Sequence, residues 1–210
     1  MPSPCETSWY VVVPVKGGRT GKSRLRQHLD DEDLVAAITH DTLAVVARVV
    51  TSARTIVVTS DPGEAARARE LGAAVVADPG RGLNAACLAG VRAVRSLDST
   101  ERVPVAVLLG DHPALHADEL SAALRAGSTL ETFFVPDADG VGTALVGTTA
   151  AGEPDLAFGP HSASRHAGLG HVRLDLDLPG LRHDVDDAAS LHHAASHLTL
   201  GPRTRRALER

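Results

Sequence analysis

Aromatic residues are nearly missing from this chain: one Trp, one Tyr and three Phe occur among 210 residues. So few rings offer no platform on which successive bases could stack. There is no cationic excess to compensate, because the formal net charge is −5. Nucleic acid is therefore not an expected partner. Cysteine is scarce as well. Cys5 and Cys87 make neither a disulfide framework nor a metal-ligand set. No apolar stretch is long enough to cross a bilayer, and residues 1–8 carry neither the basic region nor the apolar core of an export signal. The expected compartment is the cytoplasm.

What is present is Ala, Val and Leu, distributed evenly and broken by Gly and Pro. A chain of this size buries roughly 70% of its unfolded surface, enough for a full core. The even texture predicts one domain over 9–200, preceded by a flexible N-terminus (1–8) and followed by a loose basic tail (201–210). A homo-oligomer is compatible with this composition.

Short apolar runs alternate with helical patterns. Residues 9–15, 54–60, 73–78, 105–109, 132–136 and 142–147 read as strands. Residues 30–50 read as one or two helices with Leu34, Ile38, Leu43, Val46 and Val50 inward. Asp61-Pro62-Gly-Glu64 starts another helix, with a capping Asp, a Pro in the first turn and a Glu three residues on. The alternation predicts a three-layer α/β fold, a mostly parallel sheet flanked by helices.

The run Val105 to Leu109 is the expected centre of that sheet. It ends at Gly110-Asp111-His112-Pro113, where Pro113 forbids another ladder donor. Asp111 thus falls just past the carboxyl end of a buried strand, where open α/β sheets bind ligands. Its oxygens suit Mg²⁺, which usually accompanies phosphates. Capping of the next turn is the plainer role for the same residue. Near the C-terminus, Asp184-Val185-Asp186 sets two carboxylates on one side of extended chain. Such a pair repels unless a cation joins it, although a solvated edge before the last helix would also suit these acids.

Lys16-Gly-Gly-Arg19-Thr-Gly21-Lys22-Ser23-Arg24 follows the first strand. Backbone N–H groups and four cations at a helix start form an anion cradle. Gly21-Lys22-Ser23 imitates the end of a P-loop, but that loop needs its first glycine at position 16, where Lys16 stands. A P-loop kinase or NTPase is thus the second reading, and a catalytically silent nucleotide-binding module the third. Gly82 permits close backbone approach, and Asn84 either caps the next helix or meets a nucleoside. The segment 158–166 is a second loop-to-helix entry. There Ser162 or Ser164 can cap, the N–H groups can meet an anion, and Arg165 can grip a carboxylate or phosphate. Asp137-Ala-Asp139-Gly140 reads as a turn rather than a calcium loop. His193 and His197 read as a polar helix face rather than a zinc site.

Taken together, the loop at 14–25, Gly-Leu-Asn at 82–84, Gly-Asp-x-Pro-Ala-Leu at 110–115, Phe-Gly-Pro-x-Ser at 158–162 and Asp-Val-Asp at 184–186 resemble one family. These motifs are similar to those of the guanylyltransferases of coenzyme F420 biosynthesis, which act on 2-phospho-L-lactate or phosphoenolpyruvate. The resemblance implies a Rossmann-like fold of the nucleotide-diphospho-sugar-transferase type. It also implies transfer of GMP from GTP to a small phosphorylated acid, with a downstream transferase of the pathway as a further partner. By the same resemblance Lys16, Arg19, Lys22 and Arg24 would hold the GTP phosphates, with Lys22 and Asp111 catalytic. Gly82 and Asn84 would lie near the nucleoside. Asp111, Asp184 and Asp186 would hold Mg²⁺. Thr143, Gly159 and Ser162 would bind the acid, and Arg165 is added to them on its chemistry alone. Two departures stand out: His112 replaces the usual apolar residue, and Gly17-Gly18 replaces a Pro-Leu-like pair.

Overall fold

The computed structural model describes residues 9–16, 32–97 and 103–209. Among them the elements run β1 (Tyr10–Pro14), α1 (Glu32–Val50), β2 (Thr55–Val58), α2 (Pro62–Glu70), β3 (Ala74–Val76), α3 (Leu83–Leu97), β4 (Val105–Leu108), α4 (Ala117–Gly127), β5 (Thr132–Pro136), β6 (Thr143–Thr148), α5 (Ser162–Gly168), β7 (Val172–Arg173), α6 (Pro179–Arg182), α7 (Ala188–His197) and α8 (Pro202–Leu208). The strands form one seven-stranded sheet in the order β3-β2-β1-β4-β6-β5-β7. All neighbours are parallel except β4/β6 and β5/β6, so only β6 runs against the rest. The expected three-layer, mostly parallel α/β fold is what forms.

The layers follow from strand alternation. Val11 and Val13 of β1, Val57 of β2 and Leu108 of β4 face one side, where they meet Leu43, Val46 and Val50 of α1 and Leu120 and Leu124 of α4. Val12, Ile56, Val58, Val105 and Val107 face the other, against Cys87, Val91 and Val94 of α3. Gly90 lets α3 lie on β1 and β2, since a Cβ there would collide with Val12 and Val58. Phe133 needs similar room: a side chain at Gly127 or Gly147 would overlap its ring. Trp9 meets that ring edge-on, with centroids 5.9 Å apart. Cys87 is fully buried, and burial pushes its thiol up to about 12.

Local signals act as the sequence indicates. The Asp61 carboxylate accepts from Glu64 N–H at 2.9 Å and caps α2. Residues 32–50 make a single helix. No helix among the described residues is long and apolar enough to cross a membrane.

The reading of 201–210 as loose is corrected. Pro202–Leu208 forms α8, and Thr204 is fully buried. The cause lies far away in the chain. Asp41, on α1, accepts from Arg203 N–H (3.2 Å), Thr204 N–H (2.8 Å) and the Thr204 hydroxyl (2.9 Å). Gly201 permits the approach, since a Cβ there would strike the Asp41 carboxylate. Gly201 N–H also donates to Pro113 C=O at 2.7 Å, tying the tail to the segment after Asp111.

Candidate functional site

A cleft of about 600 Å³ opens over the carboxyl ends of β1 and β4 and the start of β6. That volume suits a small-molecule ligand. Lys16, Gly110, Asp111, Thr143, Gly159, Ser162, Asp184 and Asp186 all line it. Its position follows from topology: the helices cover the sheet faces, which leaves the strand ends as the open edge.

Three acids meet in this cleft. One carboxylate oxygen from each of Asp111, Asp184 and Asp186 lies within 4.8 Å of the others. Asp111 arrives on the connection just past the carboxyl end of β4. The other two arrive on an extended segment held alongside by Val185 N–H, which donates to Asp111 C=O at 3.0 Å. Val185 itself is buried with Leu34, Ile38 and Leu191. The Asp-Val-Asp alternation therefore plugs its apolar residue into the core and turns both acids toward Asp111. Three hard oxygen donors this close suit a divalent cation and would repel one another without it. Asp187 does different work, capping α7 by accepting from Ser190 N–H at 2.8 Å.

His112 lies fully buried behind the acids, with Nε2 3.6 Å from Asp111 Oδ1. Its backbone is held by Thr42, whose hydroxyl donates to His112 C=O at 3.1 Å and lies 3.3 Å from His112 N.

The opposite wall is the segment 157–162. Asn84, in the first turn of α3, grips it by both backbone groups of Phe158. Its Oδ1 accepts from Phe158 N–H at 2.9 Å, and its Nδ2 donates to Phe158 C=O at 3.1 Å. Gly159 follows at φ 121°, a left-handed conformation that glycine adopts without strain. The fully buried His166 holds the preceding residue, accepting from Ala157 N–H at Nε2 (3.0 Å). Its Nδ1 is 3.0 Å from Thr143 Oγ1. Burial lowers His166 to about 4, and His171 and Arg165 add to the effect. On the same side Asp137 accepts from Val141 N–H and Gly142 N–H (2.9 and 2.7 Å), a turn rather than a metal loop.

The sequence pattern of the MobA-like NTP transferase domain matches residues 16–198. The chain belongs to this family. The transferase is 43% identical over 206 residues to the phosphoenolpyruvate guanylyltransferase of Geodermatophilus obscurus, covering 94% of this chain and 92% of that one. It is 41% identical to the enzyme of the same name from Streptomyces coelicolor, covering 93% of each. Solved structures share its fold at low identity. A nucleotide-diphospho-sugar transferase structure from Desulfovibrio desulfuricans G20 superposes with a TM-score of 0.58 at 16% identity, covering 95% and 98% of the two chains. A nucleotidyl transferase from Methanothermobacter thermautotrophicus gives 0.52 at 19%, covering 90% and 96%. With this membership, the transferase is an enzyme of nucleotidyl transfer, and neither the P-loop reading nor the silent-module reading finds support.

The structure of the transferase places the expected residues unevenly. Asp111, Asp184, Asp186, Lys16, Thr143, Gly159 and Ser162 share the cleft. Arg19, Lys22 and Arg24 lie outside the described residues. Gly82 sits at the mouth of the first turn of α3 with φ 91°, its C=O accepting from Ala86 N–H. Arg165 is exposed, and its guanidinium lies 3.2 Å from where a Cβ on Gly159 would be. Two expectations for 158–166 are corrected. His161 occupies the position before α5, and no side chain caps it. Ser164 instead donates to His161 C=O at 2.9 Å. The N–H groups of Ser162 and Ala163 are spent on Gly159 C=O and Val141 C=O (3.1 Å each), so they fold the loop instead of facing an anion. Asn84 lies inside the first turn of α3 rather than before it, and its Oδ1 and Nδ2 each make one bond to Phe158. His166 and Asp41 were missed, because their partners are distant in the chain and no local pattern marks them.

Proposed function

We propose that this chain transfers GMP from GTP to phosphoenolpyruvate and releases pyrophosphate, as a cytoplasmic step of coenzyme F420 biosynthesis. The observation that carries the reading is the convergence of Asp111, Asp184 and Asp186 in the cleft of a nucleotidyltransferase fold. The names of the curated relatives select the nucleotide and the acid.

The chemistry follows from charge. A phosphate oxygen of the acid attacks the α-phosphorus of GTP. The new O–P bond forms as the bond from the α-phosphorus to the bridging oxygen breaks, and pyrophosphate leaves with that electron pair. The nucleophile has a second pKa of about 6 and is anionic at pH 7, so no general base is needed. The barrier is repulsion between two anions. Asp111, Asp184 and Asp186 would hold Mg²⁺, which when bound supplies charge neutralisation at the reacting phosphates. Lys16 lies at the edge where the triphosphate would enter, with Arg19, Lys22 and Arg24 following it in sequence. Thr143, Gly159 and Ser162 form the wall proposed for the acid, and Arg165 stands above Gly159. The diphosphate-linked product would pass to a downstream transferase that consumes it.

Pyrophosphate release is the test. The protein is incubated with Mg²⁺, each nucleoside triphosphate and each of phosphoenolpyruvate, 2-phospho-L-lactate and 3-phosphoglycerate, with and without the downstream transferase. GTP with phosphoenolpyruvate is the expected pair. Release of GDP or ADP in place of pyrophosphate, or no release with any pair, would overturn the reading.

A further inference from the structure

We infer that His166 is a positioning residue for the acid substrate: its imidazole donates to Thr143 Oγ1 and so commits the Thr143 hydroxyl proton to the ligand in the cleft. The inference rests on the proposed function, which assigns Thr143 to the acid.

The argument is one of donors and acceptors. Ala157 N–H can only donate, and it reaches His166 Nε2 at 3.0 Å. Nε2 therefore carries no proton. The ring must be neutral with its single proton on Nδ1. That proton points at Thr143 Oγ1, 3.0 Å away. The threonine oxygen accepts it, which leaves the threonine's own O–H as a donor. No other hydrogen bond holds this hydroxyl among the described residues, and Thr143 lines the cleft. An anionic oxygen there is the natural acceptor, and a hydrogen bond to a charged group is of the stronger kind.

The surroundings keep the ring neutral. Phe134 and Phe158 pack on it with centroids 5.8 and 5.3 Å away. His171 is 5.4 Å away, and Arg165 lies on the same helix. An imidazolium would meet the Ala157 N–H with a second N–H and would sit beside two basic residues. Asp155, which acts on His171, is the nearby acid. One buried ring thus sets both walls of the proposed acid site, the loop at 157–158 and the start of β6. His166 is fully buried and is not among the residues that line the cleft.

The test separates this role from bulk stability. His166→Gln keeps an oxygen to accept from Ala157 N–H but lacks the ring N–H that the imidazole fixes opposite Thr143 Oγ1. It is expected to raise KM for phosphoenolpyruvate roughly tenfold, the low end for a hydrogen bond to a charged group, and to leave KM for GTP within twofold. Thr143→Val is expected to raise the same KM by at least as much. Adding His166→Gln to Thr143→Val should then change nothing further, because glutamine keeps the bond to Ala157 N–H and the function it removes runs through the threonine. Multiplying effects in the double variant, or an equal rise in KM for GTP, would overturn the inference alone. A wild-type protein that releases no pyrophosphate would overturn the proposed function and this inference with it. Nitrogen-15 spectra of the wild-type imidazole give a check that needs no variant to fold. A protonated Nδ1 and bare Nε2 at pH 7 are expected, and the opposite tautomer would refute the assignment.

Discussion

Replacing Asn84 by Ala distinguishes two accounts of this residue. The family resemblance implies a place near the nucleoside, whereas in the structure its amide bonds Phe158. Two hydrogen bonds are lost in the substitution, at 2.9 and 3.1 Å, to backbone groups that are partly buried. At about 1 kcal/mol net each, the loss is about 2 kcal/mol. For a chain of this length that corresponds to a fall in Tm of roughly 4–8 °C. The loop released is the wall proposed for the acid, so KM for phosphoenolpyruvate should rise while KM for GTP stays near its wild-type value. Asn84→Asp is the informative companion. It keeps an acceptor for Phe158 N–H but sets a carboxylate oxygen against Phe158 C=O, and should be no better than Ala. Urea or thermal melts together with initial rates read both effects. Unchanged stability with a raised KM for GTP alone would refute the staple and restore the nucleoside role.

Three further outcomes follow from other parts of the molecule. Asp111→Asn should lower turnover about a hundredfold or more at saturating GTP and Mg²⁺, with a smaller effect on GTP affinity, since the lost charge acts where charge is redistributed; near-normal turnover would contradict this. Asp41→Ala removes three hydrogen bonds that dock α8 and should cost about 2 kcal/mol in urea melts without altering KM for either substrate. Stability should also depend on pH. His166 is held down to about 4 by burial, and His40 and His171 are lowered for the same reason. The unfolded chain binds protons on these residues below about 6.5 while the folded chain does not. Stability is thus fully present above that pH and declines as pH falls toward 4. Melts at pH 7 and pH 5 check the sign, and a more stable protein at pH 5 would contradict it.

Much of this fold was legible because its signals are local. Val105–Leu108 is apolar on every residue since both sheet faces are covered, and Gly110 and Pro113 mark where it stops. Asp61 and Pro62 announce α2 within four residues. The two acids flanking Val185 were legible for the same reason, since alternation tells which side each faces. What sequence could not carry was pairing across distance. Nothing near Thr143 says that β6 enters the sheet against its neighbours. The two-residue β7 is too short to have a period. Asp41 and Thr204 are far apart in the chain, so the tail looked loose where it is capped. Asn84 shows the general difficulty: an amide at a helix start has several plausible partners, and only the folded chain brings Phe158 to it. His166 was invisible for a related reason, because a single buried histidine acquires meaning from the donor on one side and the hydroxyl on the other.

The account rests on one divalent ion held by Asp111, Asp184 and Asp186 beside the triphosphate. Crystals grown with GTP and Mn²⁺, measured at the manganese edge, address it directly. The predicted result is an anomalous peak between these three side chains, with carboxylate oxygens at about 2.1 Å. A peak elsewhere, or none in crystals whose dissolved protein turns over, would contradict it.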